Sequence, residues 1–582
     1  MEKILLLDAD GRAGIACMQS LGAAGHTVHV GVRKMGSLTE HSRWCHRVHA
    51  QPAAEPVDAG AQWLVALDER FGFALVVATT EASLRWLRHL PEDHPVRLKA
   101  VLPSNAALDA ALDKSTTTAI ARELGLPVPA ARELPQRRAG APEPELPPPQ
   151  AYPVVLKPVR SKVVIDGRLA SMAVAIVHDD QARAVTLASW LPHTPVQEQT
   201  WVPGRGVGIE VLYEHGRMAW HFVHQRLHEW PLTGGASTLR RAGSSAETEL
   251  VEMTRRLLDR LQWHGVAMVE WRRDASGVVH LMEINPRLWG SLPLTIAAGV
   301  DIPLGLLALA RGQSPGPSPA WRVGFTARNV TEDVQWCLNN LRADRSDRLL
   351  LTESPWRAAF GWLRPLTGRE KWDGWSWRDR AVAREELFRL LHNRFDGLAR
   401  RLRKRAALAR ARENHAAIGF TKDGAPSRPV GSVLFLCLGN LCRSPFAEVA
   451  AAQRLAGVSI ASAGFLSHDG RPSPPHVVQT AQSLGVDLSR ARAHRVTAAQ
   501  VAQADLIVCM DVSHLERMAS EFPHAMGKTT LLGLFRPGGA MEMRDPYDLS
   551  PAATRVVFLE MLQAIDALAA QAPRAAAGAT AA

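Results

Sequence analysis

The stretch Val433-Leu434-Phe435-Leu436-Cys437-Leu438-Gly439-Asn440-Leu441-Cys442-Arg443-Ser444-Pro445 constrains this chain more than any other. A short apolar run ending at Cys437 predicts a buried strand. Pro445 suits the first turn of a helix, with Ser444 as its N-cap. The loop between them holds Gly439 and Asn440, the two residue types most tolerant of left-handed backbone. Such a loop can turn successive N–H groups inward at a helix N-terminus and form a concave anion site. Arg443 adds a planar, bidentate partner for phosphate oxygens. The same positive surroundings favour a thiolate at Cys437, and the thiolate is the nucleophilic form. Ser444 can donate a hydrogen bond to it. Attack on a phosphate monoester also needs an acid for the departing oxygen. Arg544-Asp545-Pro546-Tyr547-Asp548 offers Asp545, biased toward an extended backbone by Pro546, and Tyr547 as an aromatic wall.

With these residues the chain resembles the low-molecular-weight protein-tyrosine phosphatases over 432–566. The likeness extends to Ser462-Ala463-Gly464, to Gly485-Val486-Asp487-Leu488-Ser489 and to Ala504–Asp511. The resemblance implies Cys437 as nucleophile and a cysteinyl-phosphate intermediate. It implies Arg443 with Leu438, Gly439, Asn440, Leu441, Cys442 and Ser444 as the phosphate loop. Asp545 would be acid and then base, and no cofactor would be needed. The substrate would be a phosphotyrosine protein or a small phosphomonoester, and Cys442 could form a reversible protective disulfide with Cys437. One departure is Ala491-Arg492, where that family often has His-Arg. Arsenate-reductase-like chemistry is the alternative, but it needs a further cysteine relay after the 505–508 strand, where only Cys509 lies.

A second constellation lies upstream. Asp113-Lys114 opens a helix, and Lys157 ends an apolar strand, so two lysines from separate elements can reach ATP phosphates. Val196-Gln197-Glu198-Gln199, followed by Gly204, Gly206 and Gly208, is read as an adenine-contacting hinge. In Leu281-Met282-Glu283-Ile284-Asn285-Pro286-Arg287, period two places Glu283 and Asn285 on one strand face. Asp274-Ala275-Ser276-Gly277 reads as a hairpin turn that brings Glu270 opposite Glu283. Two carboxylates and an amide oxygen suit Mg²⁺ carrying nucleotide phosphates, with Arg287 beside them as a clamp. Here the chain resembles the ATP-grasp superfamily, in its carbamoyl-phosphate-synthase-like and D-alanine–D-alanine-ligase-like branch, over about 1–312. The resemblance implies ATP and Mg²⁺ as cofactors and an acyl phosphate made from a carboxylate and captured by an amine. Lys114, Lys157, Glu198 and Arg287 would bind ATP. Glu270, Glu283 and Asn285 would hold the metal. The other reading is a nucleotide-binding module without turnover that regulates the phosphatase.

The 582 residues imply roughly three to five folding units. The expected organisation is multidomain α/β. A Rossmann-like sheet domain occupies 1–103, with strands at Lys3–Leu7, Thr27–Val32, Ala74–Ala78 and Val96–Leu102. An ATP-grasp fold occupies 104–312, interrupted by a Pro-rich excursion at 135–153, and a Trp-rich packing appendage 313–378. A basic helix and linker cover 379–430. A doubly wound parallel-sheet phosphatase domain spans 431–566, and 567–582 is expected to be a disordered tail. The turn Asp8–Gly14 has too few glycines for a dinucleotide fingerprint.

Charge and cysteine usage narrow the class further. Of the net +11, residues 380–412 hold +8, from eleven Lys/Arg and three Asp/Glu. The basicity is therefore local, which argues against a general nucleic-acid surface. That segment repeats Leu387, Leu391, Phe395, Leu398 and Leu402 at helical spacing. It reads as a solvated bridging helix, with docking on an anionic membrane surface as a second possibility. Six scattered cysteines do not make a disulfide framework. No apolar run reaches the roughly 18 residues of a membrane span, and the expected location is the cytoplasm.

Overall fold

The computed structural model describes residues 1–571 apart from 138–147, 150, 166–167, 348, 420–428, 468, 537, 539 and 550. The middle of the Pro-rich excursion, most of the expected linker and residues 572–582 of the expected tail therefore lie outside the described residues, while 567–571 are not a disordered tail but the end of the helix Pro551–Gln571, where Leu568 is buried. The chain divides into two compact units, Met1–Leu391 and His392–Ala582.

The first unit opens with β1 (Lys3–Leu7), β2 (Thr27–Val32), β3 (Cys45–Ala50) and β4 (Leu75–Ala78) in a parallel sheet of order β3-β2-β1-β4. Three of the four expected strands are present. Val96–Leu102 is not one: Pro95 starts a short helix, Pro95–Leu98, and His94 caps it by accepting from the Val96 N–H. Cys45–Ala50 was missed because an edge strand reading Cys-His-Arg-Val-His-Ala lacks the apolar run of a central parallel strand.

A second sheet runs β5 (Ala131–Leu134), β10 (Val196–Thr200), β6 (Val154–Pro158) and β9 (Ala175–Val177), with a hairpin of β7 (Lys162–Ile165) and β8 (Arg168–Ser171) beside it in sequence. The third sheet holds Glu270, Glu283 and Asn285. Its order is β15-β14-β11-β12-β13-β16-β17, from β11 (Arg205–Glu214), β12 (Arg217–Trp230), β13 (Ala236–Ala242), β14 (Gly265–Arg273), β15 (Val279–Asn285), β16 (Thr326–Arg328) and β17 (Glu370–Trp372). The Trp-rich segment is thus more than a packing appendage, since it supplies β16 and β17. Its buried Arg328 is held by Asp333 and by Glu370 (2.7 Å). A buried ion-pair network in three-residue strands leaves no apolar period to read.

The second unit is a parallel sheet of order β19-β18-β20-β21, from β18 (Ser432–Cys437), β19 (Ser459–Gly464), β20 (Leu506–Cys509) and β21 (Thr529–Leu531). Apolar clusters fill both faces. One is built around Phe435, Phe446 and Phe558, the other around Leu434, Leu436 and Ile507. Burial on both faces explains the continuous Val-Leu-Phe-Leu run of β18. The carboxyl ends of β18, β19 and β20 come together, the place where open parallel sheets gather their ligands.

The basic helix runs Arg380–Ala417, five residues past the expected end. Its Leu387, Leu391, Phe395 and Leu402 are exposed. No single described helix is long and apolar enough to cross a membrane.

Candidate functional site

The loop after β18 forms a cup around the Cys437 sulfur. Sγ accepts from the Asn440 N–H at 3.2 Å and from Ser444 Oγ at 3.0 Å. Asn440 takes the left-handed backbone, at φ 51°. Gly439 does not, so the conformational freedom expected of both is used at one position. The Asn440 side chain fixes the strained turn: Nδ2 donates to Ser444 Oγ (3.0 Å) and Ser462 Oγ (2.8 Å), and Oδ1 accepts from the His494 N–H (3.1 Å). Ser462 in turn donates to Glu448 at 2.6 Å. Gly464, at the end of β19, lets the loop approach: a Cβ there would lie 2.7 Å from the Asn440 nitrogen.

The helix begins two residues earlier than expected, spanning Arg443–Ala452 with Cys442 at the N-cap. Ser444 is consequently inside the first turn. Its hydroxyl is spent on the sulfur rather than on a cap. Arg443 is buried, and its guanidinium is aimed by three acceptors. Nη1 donates to Asp511 Oδ2 (2.7 Å) and to the Met543 carbonyl (3.0 Å), and Nη2 donates to Asp545 Oδ2 (2.6 Å). Its Nε is buried without a hydrogen-bond partner among the described residues. A buried donor left unpaired costs free energy that an anion in the cup would recover.

A cleft of about 410 Å³ opens over the cup and is lined by Cys437, Leu441, Cys442, Arg471, Asp545 and Tyr547 among others. Tyr547 stands at its rim, with its hydroxyl accepting from Arg471 at 2.8 Å. Cys437 and Cys442 are both free thiols in this state. Burial, reinforced by Asp545 and Cys437, pushes the Cys442 thiol up. All the expected residues of this site therefore converge. Asp511, Ser462 and Glu448 were missed. No local signal marks Asp511, which lies two residues beyond β20 and meets Arg443 only because β20 pairs beside β18.

In the first unit Glu270 and Glu283 are direct cross-strand partners in β14 and β15, as the hairpin spacing required. Asn285 lies between them, with Nδ2 donating to Glu270 Oε1 and Glu283 Oε1, each at 3.1 Å. Arg287 donates to Asn285 Oδ1 at 3.2 Å. Lys114 is buried at the start of helix Lys114–Glu123, 2.8 Å from Ser161 Oγ and 3.8 Å from Glu283. Lys157 is buried in β6, and burial pushes its ammonium down to about 8 against the attraction of Glu283. Burial alone would raise the Glu283 carboxyl, but Lys114 and Lys157 outweigh it and hold the group below the usual carboxylate range. One amide group reaches both carboxylates, so a single small cation could do the same. The two carboxylates are hard oxygen donors that fit Mg²⁺ held by few protein ligands plus phosphates, and Asn285 would join them only with its amide turned over, since Oδ1 here meets Arg287.

Two expectations fail here. Glu198 is not among these residues. It pairs with Leu156 while its neighbour Gln197 pairs with Lys157, so alternation turns it to the opposite sheet face. There it is buried between Arg132 (2.7 Å) and Arg183 (2.5 Å). Nor do Gly206 and Gly208 form a hinge. They lie within β11, and a Cβ on them would strike Arg226 at 2.6 Å and His224 at 2.1 Å. Gly208 leaves room for His224, and Gly206 for Arg226, whose guanidinium reaches Glu270 at 2.6 Å. Among the described residues no cluster of three His, Cys, Asp or Glu side chains could hold a metal.

Each of the two units carries a family match. Residues 432–576 match the family model for low molecular weight phosphotyrosine protein phosphatase, and residues 199–333 match that for ATP-grasp in the biosynthetic pathway with Ter operon. A probable low molecular weight protein-tyrosine-phosphatase, EpsP, from Ralstonia nicotianae is 35% identical over 134 residues, 23% of this chain and 90% of the relative. The tyrosine phosphatase Wzb from Escherichia coli K30, solved with sulphate, is 33% identical over 24% of this chain and 97% of its own, at a TM-score of 0.23. N5-carboxyaminoimidazole synthetase from Staphylococcus aureus is 14% identical over 59% of this chain and 86% of its own, at a TM-score of 0.44. The chain belongs, through its second unit, to the low molecular weight protein-tyrosine-phosphatase family, and ahead of that unit residues 199–333 match an ATP-grasp family model.

Proposed function

We propose that the second unit hydrolyses phosphotyrosine or a related aryl phosphate through a cysteinyl-phosphate intermediate, and that the first is an ATP-dependent ligase. The observation that carries the phosphatase reading is the cup itself. Its sulfur accepts two hydrogen bonds, and the guanidinium beside it keeps one buried donor unpaired. The Asn440 N–H and the Ser444 hydroxyl hold the sulfur in the cup as the attacking atom. Arg443 and the loop amides take the phosphoryl oxygens and stabilise charge as it develops. In the first step the S–P bond forms and the P–O bond to the leaving group breaks, while the Asp545 carboxyl gives its proton to the departing oxygen. In the second, Asp545 accepts a proton from water, whose oxygen attacks phosphorus, and the S–P bond breaks. Arrival of a phosphate dianion would draw Arg443 from Asp545 and leave that carboxyl facing the departing oxygen. Tyr547 and Arg471 would flank the aryl ring.

For the first unit, Lys114 and Lys157 would hold ATP phosphates, and Glu270, Glu283 and Asn285 would hold Mg²⁺. Bound there, Mg²⁺ would neutralise phosphate charge. Arg287 would steady an acyl phosphate until an amine captured it. What supports this reading is the convergence of these six side chains with the family match over 199–333.

The experiment is hydrolysis of a chromogenic aryl phosphate. Cys437→Ser should abolish it. Asp545→Asn should slow basic leaving groups far more than acidic ones, typically 10²–10⁴-fold for loss of a general acid. Full activity in Cys437→Ser refutes the mechanism.

A further inference from the structure

We propose that the basic helix and the 540–545 loop form a subsite that selects phosphotyrosine peptides bearing acidic side chains next to the phosphorylated residue. The inference rests on the phosphatase reading and deepens it. Beside the cup lies a second cavity, of about 760 Å³, which shares Leu438, Arg443 and Asp545 with the first. One phosphate site therefore opens into two clefts, and the larger far exceeds what a phosphoryl group needs.

The far wall of that cavity is the helix Arg380–Ala417, contributing Arg400, Lys404 and Leu408. Their spacing of four puts all three on one helical face. The helix is tied down just beyond them. Ala411 is buried against the cluster of Leu434 and Leu436, the Asn414 amide donates to the Met526 carbonyl (3.3 Å), and His415 Nδ1 lies 2.9 Å from Thr530 Oγ1. This wall precedes residue 432, so it lies outside the segment that matches the phosphatase family. It is this chain's own addition to the site.

The charges of the cavity are unevenly committed. Asp511 and Asp545 are tied to Arg443, and Glu542 to Lys404. Among the described residues, Arg400 and Arg544 make no ion pair with a carboxylate, and Glu516 is the one lining acid in the same position. The cleft thus keeps a surplus of uncommitted guanidinium, over a partly apolar floor of Leu408 and Met541. Extended peptide with Asp or Glu flanking its phosphotyrosine matches both features. The phosphoryl group would sit at Cys437, and the flanking carboxylates would reach Arg400 and Arg544.

The test uses the full chain and three substrates: a chromogenic aryl phosphate and two phosphotyrosine peptides of equal length, one flanked by Asp/Glu and one by Ser/Gly. The wild type should prefer the acidic peptide. Arg400→Glu should lower kcat/KM for that peptide about tenfold, the scale of reversing one partly exposed charge in a cleft. The loss should lie in KM and shrink at high salt, with the aryl phosphate and the neutral peptide unaffected. Retained aryl phosphate hydrolysis also reports that the variant is folded. Equal use of both peptides by the wild type, or an equal change on all three substrates, overturns the subsite. If the wild type fails on the aryl phosphate, it is the phosphatase reading that falls instead.

Discussion

At the scale of single residues, two side chains carry most of the argument. Asn440 holds an unfavourable φ of 51° and three hydrogen bonds at once. Asn440→Gly should keep the turn and lose the network, cutting turnover more than stability. Asn440→Ala should lose both, with a further stability cost of about 1 kcal/mol from the left-handed backbone. Thermal unfolding and aryl phosphate kinetics separate the two. Lys157 is the second. Burial lowers its folded-state value to about 8, so it is charged below that pH and loses its charge as pH rises through it. ATP affinity, measured by calorimetry, should therefore fall above about pH 8, and Lys157→Met should flatten that fall. The phosphatase residues were legible because cysteine and arginine share one short loop, and the distant Asp-Pro-Tyr run is itself a local pattern. Asp511 was not, because its role depends on parallel alignment of β20 with β18, which no local pattern encodes. Glu198 was misread because the sequence does not show which face of a central strand meets the ligand.

At the scale of elements, periodicity was a good guide where one face is apolar and a poor one elsewhere. The β14–β15 hairpin was readable from Asp274–Gly277 and the alternation around Glu283, and it brought Glu270 opposite Glu283. The strands Thr326–Arg328 and Glu370–Trp372 were not, because buried ion pairs replace apolar alternation there. The same limit applied to β11. Its glycines read as part of an adenine-contacting hinge but leave room for side chains on the neighbouring strand. Gly208→Ala should accordingly destabilise the first unit by about 1–3 kcal/mol, the usual range for overpacking. A thermal midpoint unchanged from wild type would contradict the packing seen around His224.

At the scale of the whole molecule, each reactive cluster is built from residues of one unit. Glu283→Gln should weaken Mg·ATP binding, read by calorimetry, and leave aryl phosphate hydrolysis unchanged. Cys437→Ser should do the reverse. Addition of Mg·ATP to the wild type should not alter aryl phosphate turnover. A marked change would favour the alternative in which the ATP-grasp unit senses nucleotide and regulates the phosphatase. The most direct measurement concerns the sulfur. Asp545→Ala, mixed with an aryl phosphate whose leaving group needs no protonation and then quenched in acid, should yield a chain carrying one added phosphoryl group. Peptide mass spectrometry should place it on Cys437. A chain that releases the phenol yet never carries phosphate at that sulfur would contradict the account.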